Sequence, residues 1–116
     1  MEQIQLTAKL AISDGKIEEF KNLASQCVAA VTKNEKGKGS LQYNWFFSSD
    51  EKECHVMETY VNSDAFLAHM GNVGELLGQL LQISTLSGEI YGNLSEEVQG
   101  AISGLDIESY SFFIGS

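Results

Sequence analysis

Three side chains that can move protons fall within twelve consecutive residues: Glu58, Tyr60 and His69. A neutral imidazole can take a proton from a phenol near neutral pH, leaving an electron-rich anion. His69 is therefore the candidate general base. Tyr60 is the candidate hydroxyl for orienting a substrate oxygen, and Glu58 the carboxylate that would hold the imidazole in one tautomer. Each also has a plain structural reading. A histidine beside Leu67 and Met70 can be a core residue bonded to backbone or to a carboxylate. A tyrosine can pack in the core with its polar end at the edge. A strand glutamate can face solvent or a dimer partner. Tyr43, Trp45 and Phe47 alternate along one strand face and offer an aromatic wall to a flat apolar ligand. Core packing or a dimer interface would use the same row. With Phe66 and Met70, which flank His69 on the following segment, Tyr43 and Trp45 make up the candidate substrate-binding set.

The elements that must position these groups follow from periodicity. Ile4, Leu6, Ala8, Leu10 and Ile12 repeat every second residue, as a half-buried strand requires. Ser13 or Asp14 can cap a helix from about 15 to 33, with Ile17, Phe20, Leu23, Ala24, Cys27, Val28 and Val31 on its apolar face. Residues 34–40 (NEKGKGS) read as a glycine-rich reversal. They lack the upstream glycine and preceding strand of a phosphate loop. Two strands follow, 41–48 and 54–61, joined by the polar turn at 49–52. On the second, Glu58 and Tyr60 share one face, and His55 and Met57 share the other. Asn62, Ser63 or Asp64 can cap a helix running to about 81. Gly71, Gly74 and Gly78 each cost ~1 kcal/mol against alanine, which predicts a break near Gly71–Asn72. A strand over 83–91, a short helix capped by Ser95 and ending near Gly104, and a last strand over 107–114 complete the chain. The order β-α-β-β-α-β with a helix and strand appended predicts one α+β domain over 1–116. Its expected form is a ferredoxin-like split βαβ antiparallel sheet with helices on one face. The bare sheet face and the unplaced last strand predict a homodimer, with that strand crossing to the partner.

Composition narrows the partners. The 116 residues carry a net charge of −9, and all seven basic residues are lysines. Without arginine there is no cationic footprint for nucleic acid and no bidentate clamp for a phosphorylated substrate. Cys27 and Cys54 fall on apolar faces and read as buried free thiols, not as a disulfide framework. No apolar stretch approaches the ~20 residues of a membrane span. The first ten residues do not have the layout of a signal peptide, so the expected location is the cytoplasm. His55 and His69 are not at zinc-binding spacing, and there is neither a nucleophile elbow nor a dinucleotide fingerprint. The expectation is no metal and no cofactor.

Taken in order, several local patterns resemble one family. Gly15-Lys16 with Phe20 opens the first helix, and Gly39, Leu41 and Tyr43 open the second strand. Glu58 and Tyr60 end the third strand, and Ala65-Phe66 with His69 lie in the next helix. Gly92, Leu94 and Ser95-Glu96-Glu97 precede the last helix. Together they resemble the antibiotic biosynthesis monooxygenase domain of the dimeric α+β barrel superfamily. The resemblance implies a pocket between sheet and helices and cofactor-independent oxygenation of a small aromatic or quinol-type substrate. The family commonly has tryptophan where this chain has Tyr60. Its haem-degrading branch uses Asn, Trp and His where this chain has Ala8, His69 and Gln79. The competing reading is a non-catalytic dimeric module that binds a small apolar molecule.

Overall fold

The computed structural model describes residues 2–116. The elements are β1 (Ile4–Ile12), α1 (Ile17–Asn34), β2 (Ser40–Phe47), β3 (Glu53–Tyr60), α2 (Ser63–Leu80), β4 (Ser84–Tyr91), α3 (Glu96–Ile102) and β5 (Ile107–Tyr110). They form one five-stranded open sheet in the order β2-β3-β1-β4-β5. β1 lies at its centre, antiparallel to both β3 and β4. Its inward residues Leu6, Ala8 and Leu10 are buried. One core cluster joins Ala8 and Leu10 to Phe20, Leu23 and Cys27 of α1 and to Val73 and Leu80 of α2. A second joins Ile4, Leu6 and Ile90 to Tyr60, Phe66 and, from α3, Val98 and Ile102. All three helices therefore cover the same sheet face, as the alternation in β1 requires.

Three expectations change. The glycines of α2 do not break it: the helix is continuous over Ser63–Leu80. Gly71, Gly74 and Gly78 all face solvent, while Phe66, His69, Val73 and Leu80 are buried on the opposite side. Tertiary packing outweighs the propensity cost of the glycines. Asn62 is the cap, its Oδ1 accepting from the Ala65 N–H at 2.9 Å. Neither Ser13 nor Asp14 caps α1; Lys16 holds that position without a side-chain bond. The last strand has a place within its own chain. The β4-α3-β5 crossover lays β5 parallel to β4, from Gly88↔Ile107 to Tyr91↔Tyr110, so the sheet is mixed and not wholly antiparallel. It stops at Tyr110, short of 114, leaving Phe113 and Ile114 exposed.

Two loops set the geometry of the interior. Gly39 has φ +148°, and a Cβ there would lie 2.7 Å from the Ala65 Cβ. A glycine at this position lets the 35–39 loop rest on the first turn of α2. Val61 N–H donates to the Gly39 carbonyl at 2.9 Å and ties the end of β3 to the same loop. The end of α1, the end of β3 and the start of α2 thus converge.

Candidate functional site

At that convergence lies a buried polar chain. β3 turns Val56, Glu58 and Tyr60 inward together. Seven residues past its cap, α2 turns His69 toward the same face. Burial is nearly complete, with exposures of 6% for Glu58, 0% for Tyr60 and 3% for His69. Tyr60 Oη donates to Glu58 Oε1 at 2.5 Å. His69 Nε2 stands 3.4 Å from that same oxygen. The Tyr43 and Tyr60 ring centroids each lie 5.0 Å from the imidazole, so the two tyrosines flank it. The packing that the trio required, α2 lying over the inner face of β3, is present.

A fourth member comes from elsewhere. Glu35, the C-cap of α1, is 6% exposed. Its two carboxyl oxygens lie 3.1 and 3.0 Å from His69 Nδ1. Asn72 Nδ2 donates to Glu35 Oε2 at 2.7 Å and to the Ala30 carbonyl at 3.0 Å. Asn34 Nδ2 donates to Asn72 Oδ1 at 2.8 Å. Sequence reading placed Glu35 in a polar reversal and missed it. The available signal was an acid directly after a helix, at the negative end of its dipole, where a cation is the usual choice.

Burial governs the protonation states. It raises the Glu58 pKa to about 8; the Tyr60 hydrogen bond opposes the shift, and the charge of Glu35 adds to it. Burial also pushes His69 below its ordinary value, against the pull of Glu35. Near neutral pH the site therefore holds a protonated carboxyl beside a neutral imidazole, an acid and a base in contact. Burial raises both tyrosine hydroxyls and takes the Cys27 thiol to about 11.

A cavity of about 50 Å³ opens beside this chain, with Glu58, His69, Tyr43, Trp45, Phe66 and Met70 in its wall. Six of the seven sequence-predicted site residues thus border one space. Tyr60 does not; it reaches the cavity through Glu58. Trp45 Nε1 is the one buried side-chain N or O atom among the described residues without a hydrogen-bond partner. The cavity is smaller than the ~150 Å³ void that accepts benzene in an engineered core. It has room for a few waters or a diatomic gas, and an aromatic ring would enter only if lining side chains moved. His55 lies outside the site, half-buried, with its Nε2 2.7 Å from Glu53 Oε1. Among the described residues no group of three His, Cys, Asp or Glu side chains could hold a metal ion. Cys27 and Cys54 are free and buried. No helix among the described residues is long and apolar enough to cross a membrane.

The sequence model of the family described as antibiotic biosynthesis monooxygenase matches residues 4–74. No curated protein matches the chain. Among solved structures, MupZ from Pseudomonas fluorescens is similar over 100% of this chain and 94% of its own, with TM-score 0.84 and 18% identity. SnoaB, a cofactor-independent oxygenase from Streptomyces nogalater, is similar over 82% of this chain and 96% of its own, with TM-score 0.66 and 13% identity. A protein from Shewanella oneidensis is similar over 78% and 89%, with TM-score 0.67 and 20% identity. At these identities the structural likeness carries the fold alone.

Proposed function

The chain belongs to the antibiotic biosynthesis monooxygenase family, and from that premise we propose that it is a cofactor-independent monooxygenase-like enzyme acting on a small aromatic or quinol-type substrate. The observation that carries this reading is the buried His69 held between two carboxyl groups at the wall of an otherwise apolar cavity. His69 takes a proton from a substrate hydroxyl or from a carbon activated by one. The resulting anion supplies the electrons for dioxygen. One oxygen atom forms the new carbonyl of the product and the other leaves as water, so a methylene plus O₂ becomes a ketone plus H₂O. Protonated Glu58, hydrogen-bonded to Tyr60, would return the proton that the departing oxygen needs. Tyr43, Trp45, Phe66 and Met70 would pack on the ring, with Met70 the most adaptable of them.

Oxygen uptake across a panel of quinols and naphthols tests the reading by comparing the native protein with His69→Ala. A loss of about 10²-fold or more is expected. Equal rates would remove His69 from the chemistry.

The small cavity favours the second reading, a non-catalytic module for a small apolar molecule. Saturable binding of such a molecule with no oxygen uptake from any quinol would select it. In either case we propose a homodimer formed through the outer sheet face, where Phe46 and Met57 are exposed. Sedimentation showing a single-chain mass at micromolar concentration would exclude it. Two free buried thiols suit a reducing compartment such as the cytoplasm.

A further inference from the structure

We infer that Glu35 is a positioning residue of this site: it fixes His69 as the Nδ1–H tautomer, so that Nε2 is the free basic nitrogen directed at Glu58 and the cavity. The consequence for catalysis rests on the acid–base reading above, but the assignment rests on hydrogen-bond geometry alone.

The inference starts at Asn72, whose amide has no freedom. Its Nδ2 faces the Ala30 carbonyl at 3.0 Å, and a carbonyl only accepts. The NH₂ end must therefore point there, and the same nitrogen spends its second hydrogen on Glu35 Oε2 at 2.7 Å. Asn34 occupies the remaining Oδ1 at 2.8 Å. Flipping Asn72 would set oxygen against the Ala30 carbonyl and nitrogen against the Asn34 amide, losing all three bonds. Asn72 thus holds Glu35 as an acceptor at Oε2 and sets the plane of its carboxyl group. Both oxygens of that group lie 3.0–3.1 Å from His69 Nδ1, within hydrogen-bond range. Nε2 is 3.4 Å from Glu58 Oε1, beyond the range of a good N–H···O bond, and Tyr60 already donates to that oxygen at 2.5 Å. The only short acceptor contact of the ring is at Nδ1, so the ring proton sits there.

This arrangement explains why an acid stands at the C-terminal end of α1. A carboxyl group there is unfavourable for the helix. It is also kept from water, at 6% exposure. Positions that break a local rule without a local gain are where a site takes its groups. Glu35 reaches the imidazole from α1, whereas Glu58 reaches it from β3, and the two carboxyl groups bracket opposite nitrogens of one ring.

The test is the nitrogen NMR spectrum of the full chain with ¹⁵N-labelled histidine, recorded near neutral pH. The chain has only two histidines, and His55 is half-buried, outside the site and assignable by His55→Asn. For His69 the expected spectrum shows a protonated Nδ1 and an unprotonated Nε2. A protonated Nε2 in the native protein overturns the inference without any variant. Glu35→Gln can place its amide N–H against Nδ1 and is expected to move the proton to Nε2, while Glu58→Gln leaves the tautomer unchanged. An unmoved tautomer in a folded Glu35→Met protein, which offers Nδ1 no carboxyl or amide acceptor, also overturns it. Where turnover is measurable, Glu35→Gln is expected to lower kcat by about 10²-fold or more with KM unchanged. Absence of turnover from any quinol would fail the functional reading and leave the tautomer result standing.

Discussion

Tyr60 Oη lies 2.5 Å from Glu58 Oε1, and neither residue has appreciable contact with solvent. Burial raises the Glu58 pKa to about 8, which ties stability to pH. Below the ordinary carboxyl range both folded and unfolded chains hold this proton, and the contribution is fully present. As pH rises, the unfolded chain ionises first while the folded chain keeps its proton, so stability is lost until about pH 8. His69, lowered by burial, works in the opposite direction as pH falls through its ordinary value. The Glu58 signature is therefore clearest between about pH 6.5 and 8, where the loss is on the order of 2 kcal/mol. Thermal melts across that range should show a falling midpoint, and Glu58→Gln should flatten the fall. An unchanged slope in the variant would assign it to other groups.

Glu58, Tyr60 and His69 were legible because each depends on local periodicity. A period of two puts the first pair on one face, and a capped helix seven residues before His69 sets its phase. Glu35 was not legible. Its contact with His69 spans 34 residues and depends on how α1 packs against α2, which no window of sequence contains. Asn72 was misread for the same reason. Beside Gly71 it looks like a helix breaker, but its amide bonds lie across the interface with α1. The last strand was expected to cross to a partner but pairs with β4 of its own chain, since sequence pattern marks a strand more clearly than its neighbour.

The unpartnered indole N–H of Trp45 gives a second prediction. A buried donor without an acceptor is costly, and this one belongs to a residue of the cavity wall. Trp45→Phe keeps an aromatic ring and deletes the donor, so its stability change should stay within about 1 kcal/mol, less than an ordinary core truncation. Trp45 is the only tryptophan in the chain, so its indole N–H resonance can be followed directly. Adding a 1,4-naphthoquinol should shift that resonance downfield as the donor finds an oxygen. Binding without the shift would exclude Trp45 as a contact to ligand oxygen.

Gly88 tests the sheet that carries the site. It pairs with Ala8 on one side and with Ile107 on the other. A Cβ at this position would run into the Thr7 carbonyl and approach the Ala8 Cα at 3.3 Å. Both neighbours are backbone of the central strand and cannot rotate away. Gly88→Ala should therefore cost on the order of 2–4 kcal/mol, measured by urea denaturation. Gly74→Ala, where a Cβ meets nothing within 4 Å, should gain up to about 1 kcal/mol. Equal effects at the two sites would mean that close packing at Gly88 is not what requires glycine there.

Asn72 separates the loss of a hydrogen bond from the burial of repulsion. Asn72→Ala removes donors to Ala30 and Glu35 and leaves those acceptors short, at a cost of about 1–3 kcal/mol. Asn72→Asp is nearly the same size but can offer only oxygen. It sets one oxygen against the Ala30 carbonyl or the Glu35 carboxyl, or else takes up a proton to avoid doing so. The aspartate variant should therefore be less stable than the alanine variant at pH 8, and the gap should narrow as acidification protonates the new carboxyl group. Denaturation of both variants at pH 5 and pH 8 reads this directly. An aspartate variant at least as stable as alanine at pH 8 would show that Asn72 does not brace Glu35 as a donor, and would remove the support on which the orientation of His69 depends.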